Sequence, residues 1–159
     1  MAANTETSTA HGTGLFLDDF YVGQNWVTPR RTITDGEVTA FAGISGDFNP
    51  LHIDEEYAKT TQFGGRIFHG PGVFAIATGL ESTLGIKSET AIAFLGMTWN
   101  MVGPVLIGDT IRVDQTVAGI RPSSSKPDRG VVTFDVKVLN QRDEVCQEGQ
   151  WLVMFKRDL

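Results

Sequence analysis

The chain has 159 residues, a length that suits one domain with a sizeable buried core. Its net charge of −6 disfavours nonspecific binding to nucleic acid or to an anionic membrane, and no apolar run is long enough to span a bilayer. The single cysteine, Cys146, has no partner for an internal disulfide and no Cys/His ligand cluster beside it, so neither a disulfide framework nor a cysteine-based metal site is expected.

The first 14 residues, MAANTETSTAHGTG, have neither the basic n-region nor the apolar h-region of a secretory signal peptide. Their polar composition predicts a disordered tail over residues 1–14. A single domain is then expected over residues 15–159, and a cytoplasmic location is the default expectation for such a chain.

The first elements after this tail are a strand and a capped helix. The segment QNWVTPRRTI (24–33) predicts the strand, in which Pro29 indicates an edge position or a bulge because proline cannot donate a ladder hydrogen bond. Thr34 and Glu37 then have the spacing of a capping box at a helix start. Apolar residues recur at helical spacing as far as Gly46, where this helix is expected to end.

The most apolar helix is predicted over HGPGVFAIATGLESTLG (69–85), after a shorter helix over DEEYAKT (54–60) with acidic residues in its first turn. Pro71 suits the first helical position, where a missing N–H leaves no helical bond unmade. Apolar residues cover most of the circumference of the longer helix, a pattern that is typical of a helix buried inside a domain.

The second half of the chain changes to the two-residue period of β-strands. Four strands are predicted there, over residues 90–105, 109–121, 130–141 and 144–155. Because helices and strands are segregated along the chain, we expect the α+β class. A curved antiparallel sheet wrapped around the long apolar helix would give that helix the cover it needs.

The stretch GDFNPLH (46–52) combines reactive groups. It places Asp47 five residues before His52, with Asn49 and Pro50 between them. Five residues is not the spacing of neighbours on a helix face, and a proline disfavours helical geometry in the residue before it, so we expect an irregular loop. Alone, an aspartate here would be an ordinary turn residue and a histidine an ordinary core residue. Together they form a carboxylate and an imidazole that can hold one water from two sides.

The segments FAGISGDFNPLHIDEEYA and FGGRIFHGPG, in this order of elements, resemble the MaoC-like dehydratases, the (R)-specific enoyl-CoA hydratases of hot-dog fold. The resemblance runs from about Leu17 to the C-terminus. It implies that Asp47 and His52 are the catalytic acid and histidine, and that Asn49 shapes the site. It also implies that Gly70 is the glycine whose backbone N–H polarises the thioester carbonyl.

Two further positions are candidates for contact with the substrate. The family often has a serine eight residues after the catalytic glycine, and Thr78 keeps the hydroxyl at that position. Arg66, just before the long helix, is a candidate for the phosphates of coenzyme A. The basic loop at 121–130 is either a second phosphate contact or an ordinary solvated loop. His69 is interpreted as structural, either in the core or as support for the turn at Gly70.

The resemblance implies reversible hydration of a trans-2-enoyl-CoA to an (R)-3-hydroxyacyl-CoA by a homodimer or a larger homo-oligomer. Either Asp47 or His52 can take the first proton from the water. No cofactor and no metal is implied, since coenzyme A is part of the substrate. An acyl carrier protein is the alternative carrier, and the net negative charge weakly disfavours it. A hot-dog thioesterase and a non-catalytic acyl-CoA-binding subunit are the alternative functions.

Overall fold

The computed structural model describes residues 14–158. The predicted tail therefore lies outside the described residues except for Gly14, whose N–H donates to the carbonyl of Ser88 over 2.7 Å. The next residue, Leu15, donates in the same way to the carbonyl of Ile86 over 2.9 Å. No helix within this described range is long and apolar enough to cross a membrane.

An antiparallel sheet of six strands forms one layer of the domain. Its order is β1-β4-β5-β6-β3, with β2 also paired to β4. The strands are β1 (Asn25–Val27), β2 (Arg31–Thr32), β3 (Ala91–Met101), β4 (Thr110–Pro122), β5 (Arg129–Leu139) and β6 (Val145–Lys156). Every pairing is antiparallel, and β4, β5 and β6, which follow one another in the chain, are also neighbours in the sheet.

The strands form where the two-residue period predicts them. In β5 the side chains of Val132, Phe134 and Val136 are buried, while the intervening Asp135 and Lys137 are exposed. One face of the strand therefore contributes to the core and the other meets solvent. The predicted first strand is divided in two, because Pro29 and its neighbours interrupt the pairing with β4. Its β1 portion lies at an edge of the sheet, as the proline indicated.

Within residues 14–158, four α-helices and a short 3₁₀ turn over Leu17–Asp19 accompany the sheet. The helices are α1 (Asp35–Ser45), α2 (Pro50–Ile53), α3 (Glu55–Lys59) and α4 (Gly70–Ser82). The start of α1 confirms the predicted capping interaction, since the Glu37 carboxylate accepts from the N–H of Thr34 over 2.6 Å. Its end is Gly46, in the left-handed region with a φ of +75°, which glycine adopts without strain.

Helix α4 packs against the sheet and joins its core. Val73, Ala77 and Leu80 are buried in one hydrophobic cluster with residues from β4, β5 and β6. The opposite face is not buried within this chain, because Pro71 and Ala75 on that side are exposed. The predicted burial of this helix is therefore confirmed on the side that faces the sheet, and the other side is exposed within the described chain. The predicted α+β class, a long apolar helix on an antiparallel sheet, is confirmed.

Candidate active site

The candidate site begins where α1 ends. Gly46 turns the chain out of α1, and Asp47 follows on the connecting loop. The Asn49 side chain then accepts from the N–H of Leu51 over 3.0 Å and so caps α2, with Pro50 at the first helical position. The predicted irregular loop from Asp47 to His52 is therefore wrong for its second half. His52 lies in the single turn of α2, because the proline restricts Asn49 but is compatible with a helix that starts after it.

Asp47 and His52 face each other across a short gap. Asp47 Oδ2 lies 3.9 Å from His52 Nε2, too far for a direct hydrogen bond. On its other side, His52 Nδ1 lies 2.8 Å from the carbonyl of Ile67. A carbonyl can only accept, so the Nδ1 atom donates, and in the neutral form of the ring Nε2 presents a lone pair. One water can lie within hydrogen-bond distance of both facing atoms.

A second histidine lies against this pair. The His69 side chain is buried, and its Nε2 donates to the main-chain carbonyl of Asp47 over 2.9 Å. Its ring stacks on that of His52, with centroids 3.7 Å apart and 26° between the planes. Its remaining nitrogen, Nδ1, is buried and has no hydrogen-bond partner within the described chain. The sequence analysis interpreted His69 as structural, either in the core or as support for the turn at Gly70, and the structure adds contacts to both residues of the pair.

Gly70 is the first residue of α4, and its N–H has no hydrogen-bond partner within residues 14–158. An unpaired N–H at a helix start attracts negative charge. A side chain at this position would require Met101 to move, because an added Cβ would collide with the Sδ and Cε of Met101. Glycine therefore gives the closest approach to the backbone at this point.

Gln147, on β6, is a site residue that the sequence analysis missed. Its buried side chain donates from Nε2 to the carbonyl of Gly70 over 2.9 Å. Its Oε1 accepts from the indole N–H of Trp99 over 2.9 Å, which fixes the orientation of the amide. The signal was available in the two-residue period, since Gln147 shares a strand face with Trp151, a core residue.

An apolar cavity opens beside Gly70. It has a volume of about 280 Å³, and its walls include Phe63, Val73 and the segment 101–105, with Gln147 as a polar contribution. An apolar space next to an unpaired N–H suits a chain that ends in a carbonyl group. A larger concavity of about 560 Å³ on the polar outer face of the sheet contains neither member of the Asp47 and His52 pair.

Arg66 and Thr78 are both engaged within the chain. The Arg66 guanidinium lies 2.7 Å from the carboxylate of Asp35 and 3.1 Å from that of Glu55. Partial burial opposes its charge, but these hydrogen bonds outweigh burial and raise the pKa of Arg66. The Thr78 hydroxyl donates to the carbonyl of Ala75 over 2.8 Å. Their assignment to substrate binding stays a prediction.

The basic loop at 121–130 lies at the other end of the sheet from the candidate site. It joins β4 to β5 beyond the pair Pro122 and Gly130, whereas Gln147 pairs with Val138 and Met101 toward the opposite end. Eight residues of extended strand span about 26 Å. Within one chain, this loop is therefore remote from the Asp47 and His52 pair.

The side chains of Asp47, His52 and His69 bring possible metal-ligand atoms within 4.8 Å of one another. An imidazole binds a metal roughly in the plane of its ring, at about 2.0–2.1 Å from the nitrogen. The two rings are stacked, so their planes do not meet at a common position that close to both nitrogens. His69 also uses its Nε2 for the Asp47 carbonyl. This arrangement does not fit an ion held by all three residues.

Comparisons with known proteins identify the family. The MaoC-like domain model matches residues 19–140. An (R)-specific enoyl-CoA hydratase from Rhodospirillum rubrum is 33% identical over 140 residues, which cover 87% of this chain and 90% of that protein. The solved structure of a MaoC-like dehydratase from the same organism has a TM-score of 0.80 and 37% identity, covering 92% of this chain and 100% of that one.

A more distant likeness concerns the fold alone. A protein from Mycobacterium tuberculosis with a double hot-dog fold has a TM-score of 0.81 at 24% identity, covering 91% of this chain and 45% of that one. The sheet and central helix of this chain therefore have the hot-dog arrangement that the motifs indicated. With the matched domain spanning most of the chain, this protein belongs to the MaoC-like dehydratase family.

Proposed function

We propose that this protein catalyses the reversible hydration of trans-2-enoyl-CoA to (R)-3-hydroxyacyl-CoA. The observation that carries the proposal is the Asp47 and His52 pair, whose facing atoms are 3.9 Å apart beside an unpaired helix N–H at Gly70. Membership of a family with relatives named (R)-specific enoyl-CoA hydratase supports it. The activity is that of a carbon–oxygen lyase.

The pair would hold and activate one water. Asp47 Oδ2 and the Nε2 lone pair of His52 both accept hydrogen bonds, so a water between them donates to each. As its oxygen bonds to C3, one acceptor takes the proton, and C2 receives a proton as the double bond is lost. If the same pair returns that proton to C2, the hydroxyl group and the hydrogen add to the same face of the double bond. General acid–base help of this kind contributes about 10²–10⁴-fold.

Gly70 would stabilise the thioester oxygen. When water attacks C3, negative charge moves through C2 onto that oxygen. The unpaired N–H at the start of α4 can donate to it, assisted by the positive end of the helix dipole. Loss of one such donor costs about 3–4 kcal/mol in transition-state stabilisation. Asn49 would act by shaping the turn that places His52, through its cap on α2.

The apolar cavity beside Gly70 would hold the acyl chain, and coenzyme A would lie outside it. Arg66 and Thr78 are proposed contacts to the substrate, and Arg66 would have to exchange a carboxylate partner for a phosphate. No cofactor and no metal enters the proposed reaction. A cytoplasmic location remains a prediction.

The test is a panel of enoyl-CoA substrates from crotonyl-CoA upward, followed by loss of the enoyl-thioester absorbance. The proposal expects hydration without release of free thiol, and coupling to an (S)-specific 3-hydroxyacyl-CoA dehydrogenase should yield little NADH. Thiol release would indicate a thioesterase instead. Absence of both reactions would favour a non-catalytic acyl-CoA-binding subunit, and hydration only of acyl-carrier-protein thioesters would change the carrier.

A homodimer is the proposed assembly. Strand β3 pairs with β6 on one side and leaves its other edge open within the described chain. The side chains of Phe94, Leu95 and Met97 on this strand are each close to half exposed, at 47–48%. Open edges with apolar side chains are commonly covered by another chain. Sedimentation at micromolar concentration should show a species of twice the chain mass, and a fully active monomer would contradict the proposal.

A further inference from the structure

His69 contacts both residues of the proposed catalytic pair. Its Nε2 donates to the main-chain carbonyl of Asp47 over 2.9 Å, and its ring stacks on that of His52 with centroids 3.7 Å apart. It is also the residue before Gly70, at the N-cap of α4. No other side chain of the described residues has contacts of this kind to both Asp47 and His52 together with a place next to Gly70 in the chain.

The hydrogen bond to Asp47 defines both a position and a tautomer. A main-chain carbonyl can only accept, so the proton of neutral His69 must be on Nε2. This bond joins the loop after α1 to the start of α4 across 22 residues of sequence. Asp47 is otherwise exposed, and its other bonds are local, to the Ser45 hydroxyl and the N–H of Asn49. Without His69, the loop would lose its tie to the helix that presents Gly70.

The stack limits the orientation of the His52 ring. His52 is fixed on one side by its Nδ1 bond to Ile67, about which the ring can still tilt. The buried His69 ring covers one of its faces and restricts the tilt on that side. Phe41 packs against His69 in turn, with ring centroids 5.1 Å apart. The orientation of His52 Nε2 toward Asp47 therefore depends on a packed neighbour.

We propose that His69 is a positioning residue, which holds the Asp47 loop, the His52 ring and the start of α4 in one arrangement. It acts through the two catalytic side chains and does not contact the reacting atoms. The inference rests on the proposed function, since the arrangement matters only if Asp47 and His52 activate a water near Gly70. It assigns a role in the reaction to His69, which the sequence analysis interprets as a structural residue only.

Two substitutions separate the two contacts. His69→Gln places an amide N–H near the position of Nε2 and keeps the bond to Asp47, but it loses the stack. His69→Phe keeps an aromatic ring against His52 and loses the bond. Each should lower kcat for enoyl-CoA hydration by about threefold to tenfold with KM nearly unchanged, because each loses one modest contact. His69→Ala loses both and should lower kcat further than either.

A matched control separates positioning from stability. Val132 is fully buried in β5 at the end of the sheet remote from the site, so Val132→Ala should lower the melting temperature without lowering kcat per folded molecule. A wild-type kcat for His69→Phe and His69→Gln would overturn the proposal. The proposal would also be overturned if the activity of the His69 variants fell only in proportion to the fraction of unfolded protein, as is expected for Val132→Ala.

A measurement without turnover keeps this inference distinct from the proposed function. Long-range ¹H–¹⁵N spectra of the imidazoles at neutral pH should show the proton of His69 on Nε2 and that of His52 on Nδ1. His69→Phe should alter the His52 signals. If the wild-type protein hydrates no enoyl-CoA, the proposed function fails, while these spectra still test the arrangement. A His69 proton on Nδ1 would overturn the positioning role directly.

Discussion

The part of the chain that carries the reactive groups and the part that carries most of the core are built differently. Between Asp35 and Ser82, the helices are short apart from α1 and α4, and individual side chains cap the starts of α1, α2 and α3. Between Ala91 and Lys156, four long antiparallel strands pair along most of their length, and three of them, β4, β5 and β6, contribute buried side chains to the core. Stability and reactivity are thereby largely separated, so changes in one part should leave the other property nearly intact.

The largest expected effect on stability comes from the sheet. Phe134 is fully buried in β5 and packs against Phe20 and Phe155. Phe134→Ala should lower the free energy of unfolding by about 3–5 kcal/mol, because it removes a large buried side chain and leaves a cavity. Denaturant unfolding measures this loss. The turnover number per folded molecule should stay near the wild-type value, and a loss greater than about threefold would contradict the separation.

Gly70→Ala tests the site with little change in backbone strain. The φ of Gly70 is not positive, so alanine can adopt its backbone conformation, but the new Cβ would displace the Met101 side chain and crowd the N–H. We expect about a hundredfold loss of kcat/KM, comparable to the loss of an oxyanion donor. Steady-state hydration kinetics measure this effect. Met101→Ala is the control, since it removes the displaced side chain while keeping the glycine.

If the loss comes only from displaced methionine, the double variant Gly70→Ala with Met101→Ala should recover most of the activity. Such a recovery would contradict a direct role for the Gly70 N–H. Persistence of the loss in the double variant would support that role.

Much of this organisation could be predicted from sequence. The three strands after residue 109 begin and end within about two residues of their predicted limits, because alternation in β4, β5 and β6 reflects a face buried by the fold itself. The capping box at Thr34 and Glu37 was equally readable, since its partners are three residues apart. Periodicity and local spacing are thus sufficient where the interaction is local or regular.

Contacts between distant segments were not predictable in the same way. The turn of α2 is only four residues long, too short for periodicity to indicate it. The bond from Gln147 to Gly70 spans 77 residues, and that from His69 to Asp47 spans 22. Their existence depends on how β6 and α4 pack, which local patterns do not encode. The motif located the site, and tertiary structure supplied the residues that support it.

Gln147 lies on β6 of the sheet and contacts Gly70 in the candidate site, so its substitution should affect both stability and activity. Gln147→Leu removes its bond to the Gly70 carbonyl and leaves the Trp99 indole N–H without its acceptor. We expect about a tenfold loss of kcat together with a loss of about 1–3 kcal/mol in stability, because a partly buried donor is left unpaired. Kinetics and denaturant unfolding of the same preparation measure both. If only kcat or only stability changes, Gln147 contributes to that property alone.

The smallest expected effect concerns the cap of α1 and its pH dependence. Burial alone would raise the pKa of Glu37, but hydrogen bonds from Thr34 and the nearby Arg31 outweigh it and lower that pKa. A lowered pKa means that Glu37 contributes stability above its ordinary pKa and loses it as pH falls through the folded-state value. Glu37→Gln should therefore cost up to about 1 kcal/mol at pH 7.

The unfolding free energies of the wild type and Glu37→Gln, measured from pH 7 down to about pH 3, should converge as the carboxylate is protonated. A difference that persists unchanged at acid pH would mean that the charge of Glu37 is not its source.

The most direct test of the central claim is the hydration of crotonyl-CoA by the wild type, Asp47→Asn and His52→Ala, each checked for folding by circular dichroism. Both residues lie outside the sheet, and Asp47 is exposed, so the fold should survive. We predict that each substitution lowers kcat by at least about a hundredfold, because each removes one of the two groups that activate the water. Near wild-type hydration by either folded variant would contradict the account.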